Sequence, residues 1–250
     1  MVDKKVGNLR VLIVEDYDAL SEAAAGIIAK QIFEKPDSVL GLATGSTPVG
    51  AYQKLVELYK DDDLDFSQVM AFNLDEYFPI AKENEQSYDY FMKQNLFDHV
   101  NVDPAKIHIP SGEAADAKAE CALYEETICK SGGIDLQLLG LGLNGHIGFN
   151  EPDSHFPKTT QFVELAQSTI DANKRFFDDE SEVPRHAITM GIGTIFNARS
   201  ILLLISGEKK AEIAKAVISG KIDPQVPGSI LQLHGDVTVI LDEAAGKYLL

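Results

Sequence analysis

The sequence predicts an α/β protein, a mostly parallel sheet covered by helices on both faces in three α/β/α layers. Three observations predict it. Short, β-rich apolar runs alternate with stretches of helical periodicity along the chain, the order that crossover connections between parallel strands produce. The apolar runs are strand-sized, as at Ile201-Leu202-Leu203-Leu204-Ile205. Four polar groups lie directly after such runs, where open α/β sheets bind ligands.

The elements follow in order. Residues 9–14 read as a strand. Residues 18–33 read as a helix, with Leu20, Ala23, Ala24, Ile27, Ile28 and Ile32 on one broad stripe. A buried strand is expected at 38–43. A helix is expected at 48–59, with Thr47 as its N-cap and Pro48 at the first helical position. Strand 69–74, helix 87–96, helix 114–129 and the apolar run 134–142 come next. Strand 201–205, helix 209–218 and strand 237–241 complete the pattern. The 250 residues contain no repeat and no linker long enough to divide them, so 1–250 reads as a single domain. Residues 153–185 differ in texture, being polar and weakly periodic with Phe176-Phe177 beside an acidic run. Such a segment beside a site is a candidate lid.

Composition narrows the functional class. The formal net charge of −17 argues against a nucleic-acid partner, which calls for a basic face. It leaves room for an anionic small substrate held by a local basic cluster. No apolar run approaches the ~20 residues that span a bilayer, and the first apolar patch is too short for a signal-peptide core. The expectation is a cytoplasmic protein with no membrane partner. Cys121 and Cys129 are eight residues apart in a helical stretch, which separates them by roughly 12 Å, too far for a disulfide. They read as reduced structural thiols. No Cys/His spacing suggests zinc, and Asp61-Asp62-Asp63 and Asp178-Asp179-Glu180 lack the spaced ligands of a calcium loop. No metal is expected.

The first polar group is Thr44-Gly45-Ser46-Thr47, ahead of Pro48. Glycine allows a sharp turn and close ligand approach, and free N–H groups at a helix N-terminus favour phosphate. It is neither a Walker A loop nor a dinucleotide fingerprint, and an ordinary capped turn is the alternative. The second group is Asp75-Glu76 at the end of an apolar strand. Desolvation there would raise the Asp75 pKa and make it a better base; a helix cap is the alternative. The third group is Asn144-Gly145-His146-Ile147-Gly148-Phe149-Asn150-Glu151-Pro152. His146 is an acid/base candidate, close in sequence to Asn144 and Glu151, while His155, His186 and His234 read as structural. The fourth group is cationic. Lys210 and Arg175 are individually bland and together can pair with a phosphate dianion.

These residues, in this order, resemble the glucosamine-6-phosphate deaminase (isomerase) family. The matching stretches are Thr44 to Pro48, Phe72-Asn73-Leu74-Asp75-Glu76-Tyr77, Gly145 to Pro152, Arg175-Phe176-Phe177 and Leu231-Gln232-Leu233-His234. The resemblance runs from about residue 10 onward and implies a modified doubly wound, Rossmann-like sandwich. It implies that Asp75 moves a proton between C2 and C1, that His146 assists pyranose opening, and that Asn144 and Glu151 support His146. It also implies that Thr44, Gly45, Ser46 and Thr47, with Arg175 and Lys210, hold the 6-phosphate, and that no cofactor takes part. Rival readings are a galactosamine-6-phosphate deaminase, a 6-phosphogluconolactonase-like hydrolase and a sugar-phosphate sensor.

Two departures stand out. Many relatives carry Asp where this chain has Asn144, so activity with a shifted pH profile is expected. The region 160–164 has no basic residue where regulated members bind an activator, and the chain ends soon after its last strand. An unregulated short form is expected, as a monomer or small homo-oligomer.

Overall fold

The computed structural model describes residues 1–167, 170 and 183–250. In chain order come β1 (Val2–Val6), β2 (Leu9–Val14), α1 (Tyr17–Glu34), β3 (Val39–Leu42), α2 (Val49–Lys60), β4 (Met70–Asn73) and β5 (Asp75–Phe78). Then come α3 (Tyr88–Asn95), β6 (Ile107–His108), α4 (Ala117–Lys130), β7 (Leu136–Gly140), β8 (Gln161–Glu164) and β9 (His186–Thr189). The last are α5 (Ile192–Phe196), β10 (Ser200–Ile205), α6 (Ala211–Ser219), β11 (Val237–Asp242) and α7 (Glu243–Gly246).

Eight strands form one sheet in the order β1-β2-β11-β10-β7-β3-β4-β6. Only β1 runs antiparallel to its neighbour; every other pair is parallel. All residues of the central β10 from Ile201 to Ile205 are buried. Side chains alternate across a strand, so both faces of the sheet are covered, as expected for three layers.

A second, antiparallel sheet, β5-β9-β8, was not legible in the sequence. Its strands are four residues long and chemically mixed, Asp-Glu-Tyr-Phe, Gln-Phe-Val-Glu and His-Ala-Ile-Thr, without an apolar run. It closes a smaller core around Tyr77, Ile80, Phe149, Leu165 and Ala187. Leu74 joins the two sheets. Its N–H donates to Leu42 O (3.0 Å) in the large sheet, and its carbonyl accepts from Met190 N–H (2.7 Å) beyond β9. One residue of chain thus passes from β4 to β5.

Three local expectations change. Helix α2 begins at Val49, with Pro48 as its cap residue and no side-chain cap bond, so Thr47 does not cap it. Helix α4 begins at Ala117, not 114, because the Asp116 carboxylate accepts from Lys118 and Ala119 N–H. Strand β7 stops at Gly140, because the Gly142 N–H already turns back to His146 O (2.9 Å). Both cysteines are free; Cys121 is buried as expected, but Cys129 is exposed on the outer side of α4.

Candidate active site

A cleft of about 250 Å³ opens at the carboxyl edge of the large sheet. Loops after β3, β7 and β10 and the start of β5 meet there. Thr44, Gly45, Ser46, Thr47, Asp75, His146 and Lys210 all line it, so the structure gathers residues more than 160 positions apart in sequence.

The loop after β3 is built from backbone. Gly45 has φ +90°, a conformation open to glycine and costly for other residues. Gly45 and Ser46 are exposed. A residue that sequence reasoning missed, Tyr17 at the start of α1, fixes this loop. Its hydroxyl accepts from Gly50 N–H (2.9 Å) and lies 3.0 Å from Ser46 O and 3.1 Å from Thr47 O, to which it can donate. Lys210 precedes α6 and donates its ammonium to Leu141 O. Burial holds the Lys210 pKa below the ordinary lysine value, so the cation gains by meeting an anion.

Asp75 opens β5 and is 5 % exposed, a deeper burial than the sheet-edge position the sequence suggested. Burial, and then the neighbouring Glu76 charge, push its pKa up to about 8. Glu76 is buried too. Its carboxylate accepts from Tyr77 N–H (2.8 Å), Tyr88 N–H (2.9 Å) and Asp89 N–H (3.0 Å). Burial pushes the Glu76 pKa up to about 7, although these three bonds pull it down. Tyr88 also lines the cleft. Its ring stacks on Phe149 (6.1 Å, 6°), and its hydroxyl is 3.1 Å from that of Tyr77. Sequence reasoning gave Tyr88 no role, and an aromatic residue in a first helical turn offers no signal for one.

His146 stands on a loop that only glycine permits. A Cβ at Gly142 would lie 2.3 Å from the His146 ring, and Gly145 and Gly148 have φ +88° and +57°. Nδ1 of His146 is buried and faces Glu151 Oε1 at 3.2 Å. A neutral imidazole that turned its Nδ1 proton to Glu151 would carry its lone pair on Nε2. Asn144 does not touch the ring. Its side chain donates to Glu151 Oε2 (2.5 Å) and accepts from the His146 backbone N–H (3.2 Å). Its links to His146 thus run to the backbone directly and to the ring by way of Glu151. Thr189 of β9 ties the same loop down, its hydroxyl accepting from Phe149 N–H (3.1 Å), and Asp75 and Thr189 are paired across β5 and β9.

Arg175 and residues 168, 169 and 171–182 of the candidate lid (153–185) lie outside the described residues. His234 is buried between Ala198 O and Asp236 N–H, and His186 stacks on Phe162; both have the structural surroundings expected of them. Among the described residues no helix is long and apolar enough to cross a membrane.

Residues 15–240 match the family described as glucosamine-6-phosphate isomerases/6-phosphogluconolactonase. The chain is 57% identical to a glucosamine-6-phosphate deaminase of Clostridioides difficile (strain 630), over 96% of this chain and 97% of the relative. It is 55% identical to one of Halothermothrix orenii, over 96% and 100%. Among solved structures, one described as a monomeric glucosamine-6-phosphate deaminase superposes with TM-score 0.92 at 45% identity, covering 95% of this chain and 98% of that one. A 6-phosphogluconolactonase from Leishmania guyanensis shares the fold, with TM-score 0.74 at 22% identity over 96% and 98% of the two chains. The chain belongs to the glucosamine-6-phosphate isomerase/6-phosphogluconolactonase family, and within it to the glucosamine-6-phosphate deaminases.

Proposed function

We propose that this protein is an enzyme that converts glucosamine 6-phosphate and water to fructose 6-phosphate and ammonia. The observation that carries the reading is the convergence of a buried carboxylate, Asp75, and a carboxylate-backed imidazole, His146, on one cleft that also holds an anion-binding loop and Lys210.

The residue types match the order of the chemistry. The C2 proton of a closed aminosugar is not acidic, so the ring opens first. Nε2 of His146 takes the anomeric hydroxyl proton and returns it at the ring oxygen, while Glu151 steadies the charged imidazolium through Nδ1. The new C1 aldehyde acidifies C2. Asp75, ionised, removes the C2 proton to give an enolamine and delivers the proton to C1 on the same face. The product is a C2 imine of the ketose. Water adds to it, and ammonia leaves. The elevated pKa of Asp75, about 8, makes it a stronger base than an exposed aspartate and brings its titration close to neutral pH.

The 6-phosphate is assigned to the N–H and hydroxyl groups of residues 44–47, with Lys210 and Arg175 as cations. Tyr17 holds one first-turn N–H of α2, that of Gly50, so the ligand is left with the loop N–H groups that precede it. The similarity to a monomeric deaminase over nearly the full chain, and a region 160–164 without basic residues, support a monomer without an intersubunit activator site.

The test is ammonia and fructose 6-phosphate release from glucosamine 6-phosphate, run beside galactosamine 6-phosphate. Turnover of the first substrate is expected. Release from neither would overturn the reading, and release from galactosamine 6-phosphate alone would reassign the substrate.

A further inference from the structure

We propose that Glu76 is a positioning residue for proton transfer, anchoring α3 and Tyr88 at the base and placing a second carboxylate charge next to Asp75. The inference rests on the proposed reaction for its catalytic consequence, but not for its electrostatics.

The geometry has two parts. Glu76 is 2 % exposed and spends both carboxylate oxygens on backbone N–H groups, two of them, from Tyr88 and Asp89, in the first turn of α3. A carboxylate at a helix N-terminus is held by the free N–H groups and by the helix dipole together. The Ser87 hydroxyl caps Tyr90 N–H, so among the described residues it is the Glu76 carboxylate that holds Tyr88 N–H. The cleft wall made by Tyr88 on Phe149 therefore depends on the residue next to the base.

The second part is charge. On its own strand the Glu76 charge acts on Asp75, although consecutive side chains of β5 point to opposite faces. From α3 it meets Tyr88, while Asp89, paired with Lys93 at 2.5 Å, acts on Glu76. Tyr124 approaches from α4, Thr189 from β9, and Gly148 from the His146 loop, where a Cβ would lie 3.4 Å from Asp75 Oδ2. Lys210 lines the same cleft. Burial and the Glu76 charge, not a cation, shift Asp75. Three N–H donors favour the ionised form of Glu76 and oppose the effect of its burial, so the geometry makes it the readier of the two carboxylates to ionise. Asp75 then gives up its proton against an existing anion, which strengthens it as a base.

The test follows the Asp75 carboxyl by 13C NMR pH titration in wild type, Glu76→Gln and Glu76→Asp, with Asp75→Asn used to assign the signal. Glu76→Gln removes the charge and should lower the Asp75 midpoint by about one pH unit, with the ascending limb of kcat/KM moving by the same amount. Glu76→Asp keeps the charge but shortens the reach to α3. It should leave the midpoint in place and lower kcat about tenfold, with little change in KM. A midpoint unmoved in Glu76→Gln overturns the charge role, and wild-type kcat in Glu76→Asp overturns the anchoring role. If Glu76→Gln does not fold, the Asp variant decides alone: a displaced midpoint or an undiminished kcat refutes the inference. Wild type that titrates as expected but releases no ammonia defeats the functional reading and leaves the electrostatic inference standing.

Discussion

Strands β3 and β4 are neighbours in the parallel sheet, yet the chain leaves them in opposite ways. After β3 it stays at the surface, where Gly45 and Ser46 are exposed, and turns into α2 over the same sheet. After β4 it crosses at Leu74 into the second sheet, and the next two residues, Asp75 and Glu76, are buried. The difference matches the work that the proposed reaction assigns to each exit. An anion that only has to be held can be met by backbone N–H groups and hydroxyls in contact with water. A carboxylate that must take a proton from carbon gains basicity by losing water. Changes on the β4 side should therefore strike kcat, and changes on the β3 side KM.

The largest expected effect is at the buried exit. Asp75→Asn keeps the shape of the side chain and removes the base. Turnover should fall by about 10³-fold or more, within the range that general acid–base groups contribute. Binding of a phosphorylated sugar, measured by calorimetry, should be retained. Loss of binding in step with turnover would break the division between the exits.

Gly142→Ala comes next. Its methyl group would stand 2.3 Å from Nε2 and Cδ2 of His146, so the ring must move. Misplacing a catalytic group by about 1 Å costs on the order of 10²-fold, and kcat should fall by that amount with KM changed little. Steady-state kinetics on the folded variant check it. Unaltered kcat would mean that ring opening does not need His146 in this position.

The two exits also differ in how far the sequence revealed them. The β3 loop was legible because its signals are local: an apolar run, a glycine and a proline opening a helix. All four loop residues line the cleft as expected, and only the cap assignment of Thr47 was wrong. Asp75 and its desolvation were legible, but not the depth of its burial. Around it stand Thr189 of β9, Tyr124 and Gly148, all distant in sequence, and the short mixed sequence of β9 has no period that pattern reading can detect. Tyr17 and Tyr88 were invisible for a related reason, since each acts through a long-range backbone contact that leaves no mark on neighbouring residues. The family resemblance supplied roles for Asn144 and Glu151, but not the order of contact by which Asn144 works through Glu151.

A stability measurement sharpens the same contrast. The Asp75 pKa is raised in the folded protein to about 8, against about 3.9 in an unfolded chain. Between those values the folded state holds a proton that the unfolded state has released, so the contribution of Asp75 to stability declines as pH rises. It is fully present below about pH 4 and lost by the time pH passes the folded value. Asp75→Asn carries no such dependence. The variant and wild type should differ least at low pH, and the variant should gain in relative Tm towards pH 8 by several degrees, at about 2–4 °C per kcal/mol for a chain of this size. Thermal denaturation across that range checks it. Parallel curves would mean that burial does not hold the proton on Asp75.

The smallest effect belongs to the exposed exit. The Tyr17 hydroxyl links α1 to the first turn of α2 and to the carbonyls of Ser46 and Thr47. Tyr17→Phe leaves the ring in place and frees the Gly50 N–H and both carbonyls. Tyr17 is 37% exposed, so water can replace part of what is lost, and the cost should be about 1 kcal/mol, the net value of one hydrogen bond. Because these bonds hold the loop assigned to the phosphate, the loss should appear as a KM raised about fivefold, which is the same 1 kcal/mol, with kcat unchanged. The steady-state parameters at a single pH are sufficient to measure it. A fall in kcat as large as the rise in KM would mean that the loop after β3 also sets the reacting carbons against Asp75, and that the two exits act as one device.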